Sequence, residues 1–142
     1  MSFSSQLKKF NQKTQKKAER VFRQSALTLF GNIVKQSPVG NPSLWASNPP
    51  PNYVGGSFRA NWQASLNSRE TGTVESTSTA AANSSIASAV SNAKIGDTIY
   101  FTNNLPYALR LEQGWSTQAP SGWVKANTMQ WKYIVNRFAR GR

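Results

Sequence analysis

The chain contains no cysteine and no histidine, and only five of its 142 residues are acidic. Without cysteine there is no disulfide, no thiolate metal ligand and no thiol nucleophile, and nothing points to an oxidising compartment. Without histidine, the side chain that most often moves protons near neutral pH is missing. Asp97 and Glu112 could in principle form a carboxylate pair of the kind that cleaves glycosides, but each lies among basic or turn residues that give it an ordinary role. A serine–lysine dyad is the remaining enzymatic option in so serine-rich a chain, and no motif specifies one. Gly55-Gly56 precedes a strand instead of following one, so it is a turn and not a phosphate cradle. No stretch approaches the roughly 18 apolar residues of a membrane span, and the polar, cationic start lacks the apolar run of a signal peptide. We therefore expect no catalytic residues, no cofactor, no metal and no membrane, and a product that stays in the cytoplasm until something assembles it.

Positive charge is what the chain has in excess. Seventeen Lys and Arg leave a net +12, a field that attracts polyanions and acidic protein faces but does not dictate a fold. Residues 1–35 hold eight bases and one acid, residues 36–124 four of each, and residues 125–142 five bases and no acid. The charge therefore sits at the two ends. Charged residues are only 15% of the whole, against roughly 25% in ordinary soluble domains, so the surface must lean on Ser, Thr, Asn and Gln. That profile suits a subunit covered by neighbours.

The length fits one domain, residues 1–142, and the pattern along it is readable. Leu7, Phe10, Thr14, Ala18, Val21, Ser25, Leu29 and Ile33 step by three or four, which predicts a long helix over residues 1–36, capped by Ser4 or Ser5 and ended by Ser37-Pro38. Its first half should project or line a surface, and its second half, apolar all round, should be buried. Residues 37–57 are broken by Pro38, Gly40, Pro42, Pro49, Pro50, Pro51, Gly55 and Gly56 and predict a long loop. Alternation from Phe58 to Leu66 predicts a strand, and Thr98–Asn103 a second. Between them, residues 71–93 are rich in Ser, Thr and Ala; either a weak helix over Ala80–Asn92 or a mobile insertion fits. Pro106 suits the first position of a short helix, Tyr107–Gln113, ended by Gly114. A final helix is expected over Pro120–Arg140, with Val124, Thr128, Trp131, Ile134, Val135 and Phe138 on one side.

Two groups of side chains invite a functional reading. Lys9, Lys13, Lys16, Arg20 and Arg23 cluster opposite the apolar stripe of the first helix. They are either a solvated surface or a contact for DNA phosphates or an acidic partner. Seven bases to one acid between Lys8 and Arg23 favour contact, since soluble helices alternate their signs. Any DNA contact should be sequence-independent, because lysines read backbone charge. Of the tryptophans, Trp62 and Trp131 occupy core positions, whereas Trp45, among prolines, suits an intersubunit contact better than base stacking.

Two blocks carry a family resemblance. The first runs through Ser37-Pro38-Val39-Gly40-Asn41-Pro42, Leu44-Trp45, Pro49-Pro50-Pro51, Tyr53-Val54-Gly55-Gly56 and Phe58-Arg59-Ala60-Asn61-Trp62-Gln63. The second comprises Ile99-Tyr100-Phe101-Thr102-Asn103-Asn104, Pro106-Tyr107-Ala108, Leu111-Glu112-Gln113-Gly114-Trp115-Ser116, Gln118-Ala119-Pro120 and Gly122. Together they resemble the tail-completion, or neck, proteins that join head to tail in long-tailed double-stranded-DNA phages.

The resemblance implies an α+β fold, with the long N-terminal helix and a C-terminal helix packed on a small antiparallel sheet. It further implies a virion protein forming a homo-oligomeric ring, six-fold or twelve-fold, between head-closure or connector proteins and tail-terminator or tail-tube proteins. Trp45, Tyr53, Pro106, Tyr107, Glu112, Gly114, Trp115 and Pro120 then become interface or motif residues. Glu112 fits either an intersubunit salt bridge or a local ion pair, and Tyr107 a core or interface aromatic. The alternatives are a nonspecific duplex-DNA-binding protein using the same lysines and, more remotely, a small hydrolase.

Overall fold

A computed structural model of the chain describes residues 2–40, 51, 54–114, 119 and 121–141. The elements run α1 (Phe3–Gln36), α2 (Ser57–Ala60), β1 (Trp62–Leu66), α3 (Thr79–Asn92), β2 (Ile99–Asn103), α4 (Ala108–Glu112), α5 (Trp123–Thr128) and α6 (Trp131–Ala139). Of the described residues 59% are helical and 8% lie in strands. The fold is α+β, with a long N-terminal helix and a small antiparallel sheet, as the sequence led us to expect. Most of the expected proline-rich loop lies outside the described residues.

The 34 residues of α1 make a rod of about 50 Å at about 1.5 Å per residue. Ser2, not Ser4 or Ser5, caps it, its Oγ accepting the Ser5 N–H at 3.2 Å. The helix ends at Ser37, which turns extended ahead of Pro38. From Val21 onward one side of α1 is buried against α3, α5 and α6, while Leu27, expected to be buried, stays exposed. In the sheet β1 and β2 pair with Ala64 opposite Phe101 and Leu66 opposite Ile99. The Phe101 ring lies between two others, 4.2 Å from Phe30 and 4.7 Å from Trp62, both nearly parallel. Phe58 meets Trp62 and Trp123 edge-on, each at 6.0 Å. One aromatic stack thus joins α1, the sheet and α5.

The end of α1 is held by hydrogen bonds from three other segments. The fully buried Ser37 hydroxyl donates to the Ile33 carbonyl at 2.6 Å and accepts the Trp62 indole N–H at 2.9 Å. Arg59 donates to the carbonyls of Ser37 and Lys35 at 2.6 and 2.7 Å, placing a cation at the negative end of the helix. The Trp123 indole N–H donates to the Ile33 carbonyl at 3.3 Å. Carbonyls that a helix terminus leaves without partners are thereby satisfied by the core itself.

Two expectations need correction, and one choice left open is decided. The strand predicted from Phe58 begins only at Trp62, because residues 57–60 form one helical turn. Asn61, fully buried, ends that turn: its amide donates to the Ser57 and Val74 carbonyls and its Oδ1 accepts the Val74 N–H at 2.7 Å. Phe58 and Ala60 are buried all the same, so burial alternated without extended backbone. Of the two readings for residues 71–93, the helix forms. Ala82, Ile86, Ala89 and Val90 enter the core, and Ser85 Oγ accepts the Ala64 N–H of β1 at 3.1 Å. Finally, the single C-terminal helix is two, separated at Met129-Gln130. Asn127 donates to both the Trp123 carbonyl and Gln36 Oε1, and Thr128 donates to the Lys125 carbonyl. These bonds compete with continued helix and bury Trp123 and Asn127, while Thr128, expected on the apolar side, faces solvent.

Two outcomes follow from these bonds. Ser37→Ala leaves the Trp62 indole N–H without its buried acceptor and should cost about 1–3 kcal/mol of unfolding free energy in urea titrations, whereas Ser2→Ala at the exposed cap should cost only about 0.5–1 kcal/mol. Asp97 accepts the Lys94 backbone N–H at 2.8 Å and the Asn67 amide at 3.1 Å, and these bonds, that from Lys94 foremost, hold its carboxyl below the ordinary 3.8. A depressed carboxylate stabilises the fold above its unfolded pKa and loses that contribution as pH falls through the folded value. NMR should therefore place Asp97 below 3.8, and Asp97→Asn should remove that acid-dependent step.

Candidate interaction surface

The first half of α1 leaves the body of the protein. Residues 2–18 are all exposed, and burial begins at Val21. Within this arm Phe3, Leu7 and Phe10 are 77%, 46% and 66% exposed. They continue the face that carries Val21, Ser25, Leu29 and Ile33 into the core. Sequence periodicity found Leu7 and Phe10 on that stripe but not Phe3, although the same spacing extends to it.

The opposite face is cationic, and the structure divides the five residues singled out there. Lys9, Lys13, Lys16 and Arg20 are exposed, and together with Lys8 and Lys17 they form no ion pair among the described residues. Arg23 belongs to the fold instead. Its Nε donates to the Ala93 carbonyl at 2.8 Å, closing the C-terminus of α3, and its guanidinium lies 3.9 Å from Glu19. Glu19 also accepts the Ile95 N–H at 3.4 Å. The one acid of this helix therefore pairs at the body end and leaves the arm unneutralised. Like charges at i,i+4, such as Lys9 with Lys13 and Lys16 with Arg20, each oppose the helix by about 0.2–0.5 kcal/mol. Among the described residues, the relief along the arm from Lys9 to Arg20 is lined by side chains of α1.

The motif residues of the second block gather elsewhere, around α4. Pro106 and Tyr107 are exposed and precede the helix; Pro106 sits in the turn before the N-cap Tyr107 instead of at the first helical position. The Tyr107 ring lies 6.1 Å from Phe58, at the core's edge. Gly114 takes φ +94° and donates to the Leu111 carbonyl, closing α4 as expected, with Ser121 where a Cβ would stand.

Glu112 is bonded to backbone within the chain, and among the described residues it forms no local ion pair. Its two carboxylate oxygens accept the backbone N–H groups of Val124 and Lys125 at 3.0 and 2.9 Å, and its carbonyl accepts that of Gly122 at 2.6 Å. It caps α5 from another helix. Glu112→Ala should then cost about 0.5–2 kcal/mol in denaturant unfolding with no change in oligomeric state, whereas an intersubunit salt bridge would show the reverse.

Trp45, Tyr53, Trp115 and Pro120 lie outside the described residues. Among the described residues no group of three His, Cys, Asp or Glu side chains converges, and no helix is long and apolar enough to cross a membrane. The basic arm and the α4 turn therefore stand as two separate sites, one bare and one internally bonded. No family model matches the chain, and neither does any curated protein or any solved structure.

Proposed function

We propose that the chain is a structural subunit of the phage neck, one copy in a homo-oligomeric ring that joins head to tail around the path of the DNA. A single observation carries this reading. The projecting half of α1 has two opposite faces, one bare and apolar, the other cationic and unpaired among the described residues, and duplex DNA by itself does not satisfy both. A ring threaded by DNA does: protein covers the stripe, and phosphates or acidic neighbouring rings meet the lysines. The resemblance of the two motif blocks to neck proteins supports the same assignment, and a surface poor in charge outside the termini suits a subunit enclosed by neighbours.

The rival reading, an independent nonspecific duplex-binding protein, draws on the same six cations. It leaves Phe3, Leu7 and Phe10 without purpose, since phosphates do not bury apolar rings. It also requires the isolated subunit to bind duplex tightly, with log K falling steeply against log salt. A neck subunit is expected to bind free DNA weakly and to gain order on assembly.

Imaging of assembled particles with the chain labelled should show a ring at the junction of head and tail. Replacing Lys9, Lys13, Lys16 and Arg20 together by Gln, with Arg23 kept because it closes α3, should leave thermal unfolding nearly unchanged. Joined, DNA-filled particles should fall at least tenfold. A normal yield of infectious particles would remove the basis for assigning this face a role.

A further inference from the structure

The bare stripe of the arm has one neutral shoulder and carries no acid beside it. At about 100° per residue, Phe3, Leu7, Phe10 and Thr14 share one face. Ser4, Asn11 and Gln15 lie along one side of it; along the other lie Gln6, Lys13 and, seven residues after Phe10 and closest to the stripe, Lys17. Where helices pair along an apolar seam, the residues flanking the seam choose the partner by charge. An acidic partner would be met by bases beside the stripe, but here most of the bases stand opposite it. A stripe with one neutral shoulder and most bases turned away fits a largely neutral surface.

The chain itself offers one. Residues 36–124 carry four bases and four acids, and the carboxylates of Asp97 and Glu112 are bonded to backbone N–H groups. Ile95, Tyr100 and Leu109 expose apolar surface on this balanced centre. The stripe also prolongs the face of α1 that the chain's own body covers from Val21 to Ile33. A second body of the same kind is what the continuing face fits.

Charge opposes that contact. Each copy brings eight bases and one acid in residues 1–35, and at low ionic strength such segments repel across distances of tens of ångströms. Three apolar side chains per arm must overcome this alone. Resting on the ring reading above, we propose that the arm packs through Phe3, Leu7 and Phe10 on a second copy of this chain, and that its cationic face keeps copies apart until duplex DNA neutralises it. Assembly then awaits the nucleic acid it is to surround. The sign of the salt effect is diagnostic: contacts between opposite charges weaken as salt rises, whereas this one strengthens while DNA affinity falls.

Sedimentation velocity of the full-length chain tests this, at about 50 mM and about 500 mM salt and with a duplex of about 40 base pairs. The expected result is monomer at low salt, and oligomer either at high salt or at low salt with duplex. Leu7→Gln combined with Phe10→Gln should weaken both assemblies at least tenfold and leave duplex affinity within about threefold, with an unchanged near-ultraviolet tryptophan signal showing that the core is intact. Gln at Lys9, Lys13, Lys16 and Arg20 should assemble at low salt without duplex. The proposal is overturned by oligomers that dissociate as salt rises, by assembly that survives the Leu7 and Phe10 changes, or by a monomer under every condition. No particle is needed for these measurements. Salt-promoted assembly of a chain that imaging does not find in a neck would refute the neck assignment alone, and joined particles built from a chain that never self-associates would refute this inference alone.

Discussion

The Ser37 hydroxyl at the end of α1 is the point on which the rest of the molecule depends. It is fully buried, gives its proton to the Ile33 carbonyl and receives one from the Trp62 indole. A buried polar group left without a partner is costly, so this pair of bonds fixes both where α1 stops and how the sheet docks on it. Arg59 and Trp123 bond to carbonyls of the same final turn. The aromatic stack of Phe30, Phe101 and Trp62 then has one arrangement open to it.

Anchoring the helix at one end makes an arm of the other. The body covers α1 only from about Val21, and α3, held to α1 through Arg23 and Ala93, marks where cover stops. Glu19, the acid that might have neutralised the lysines, is drawn to that boundary by Arg23 and the Ile95 N–H. The arm is left with apolar and cationic faces and with no intramolecular partner for either among the described residues. The contrast of its two faces is the observation on which both the proposed ring and the proposed assembly that waits for DNA rest.

The motif blocks contribute differently. Asn61, Glu112 and Gly114 are bonded within the chain and serve the fold: Asn61 ties residue 74 to the start of β1, and Glu112 ties α4 to α5. A family resemblance built on such residues speaks to how the chain folds more directly than to what it touches. The surface proposed for contact lies in residues 2–20, outside both blocks.

Sequence alone determined the features set by local spacing. The three-four period of α1, its stop at Ser37-Pro38, the β-branched and aromatic run of β2 and the glycine that closes α4 follow from backbone preference and side-chain period. The excess of bases at the termini was equally open to inspection. Tertiary structure decided what depends on partners distant in sequence. Burial at Phe58 and Ala60 alternated as in a strand, yet Asn61 and Val74 turned that segment into a helical turn. Ser, Thr and Ala carry too little apolar signal to distinguish a helix from an insertion, and α3 formed because α1 and β1 gave its small residues a surface to pack on. Arg23 looked like its neighbours on the helical wheel, and only the position of Ala93 removed it from the cationic face. Glu112 could not be read as a cap before the fold brought the first turn of α5 to it.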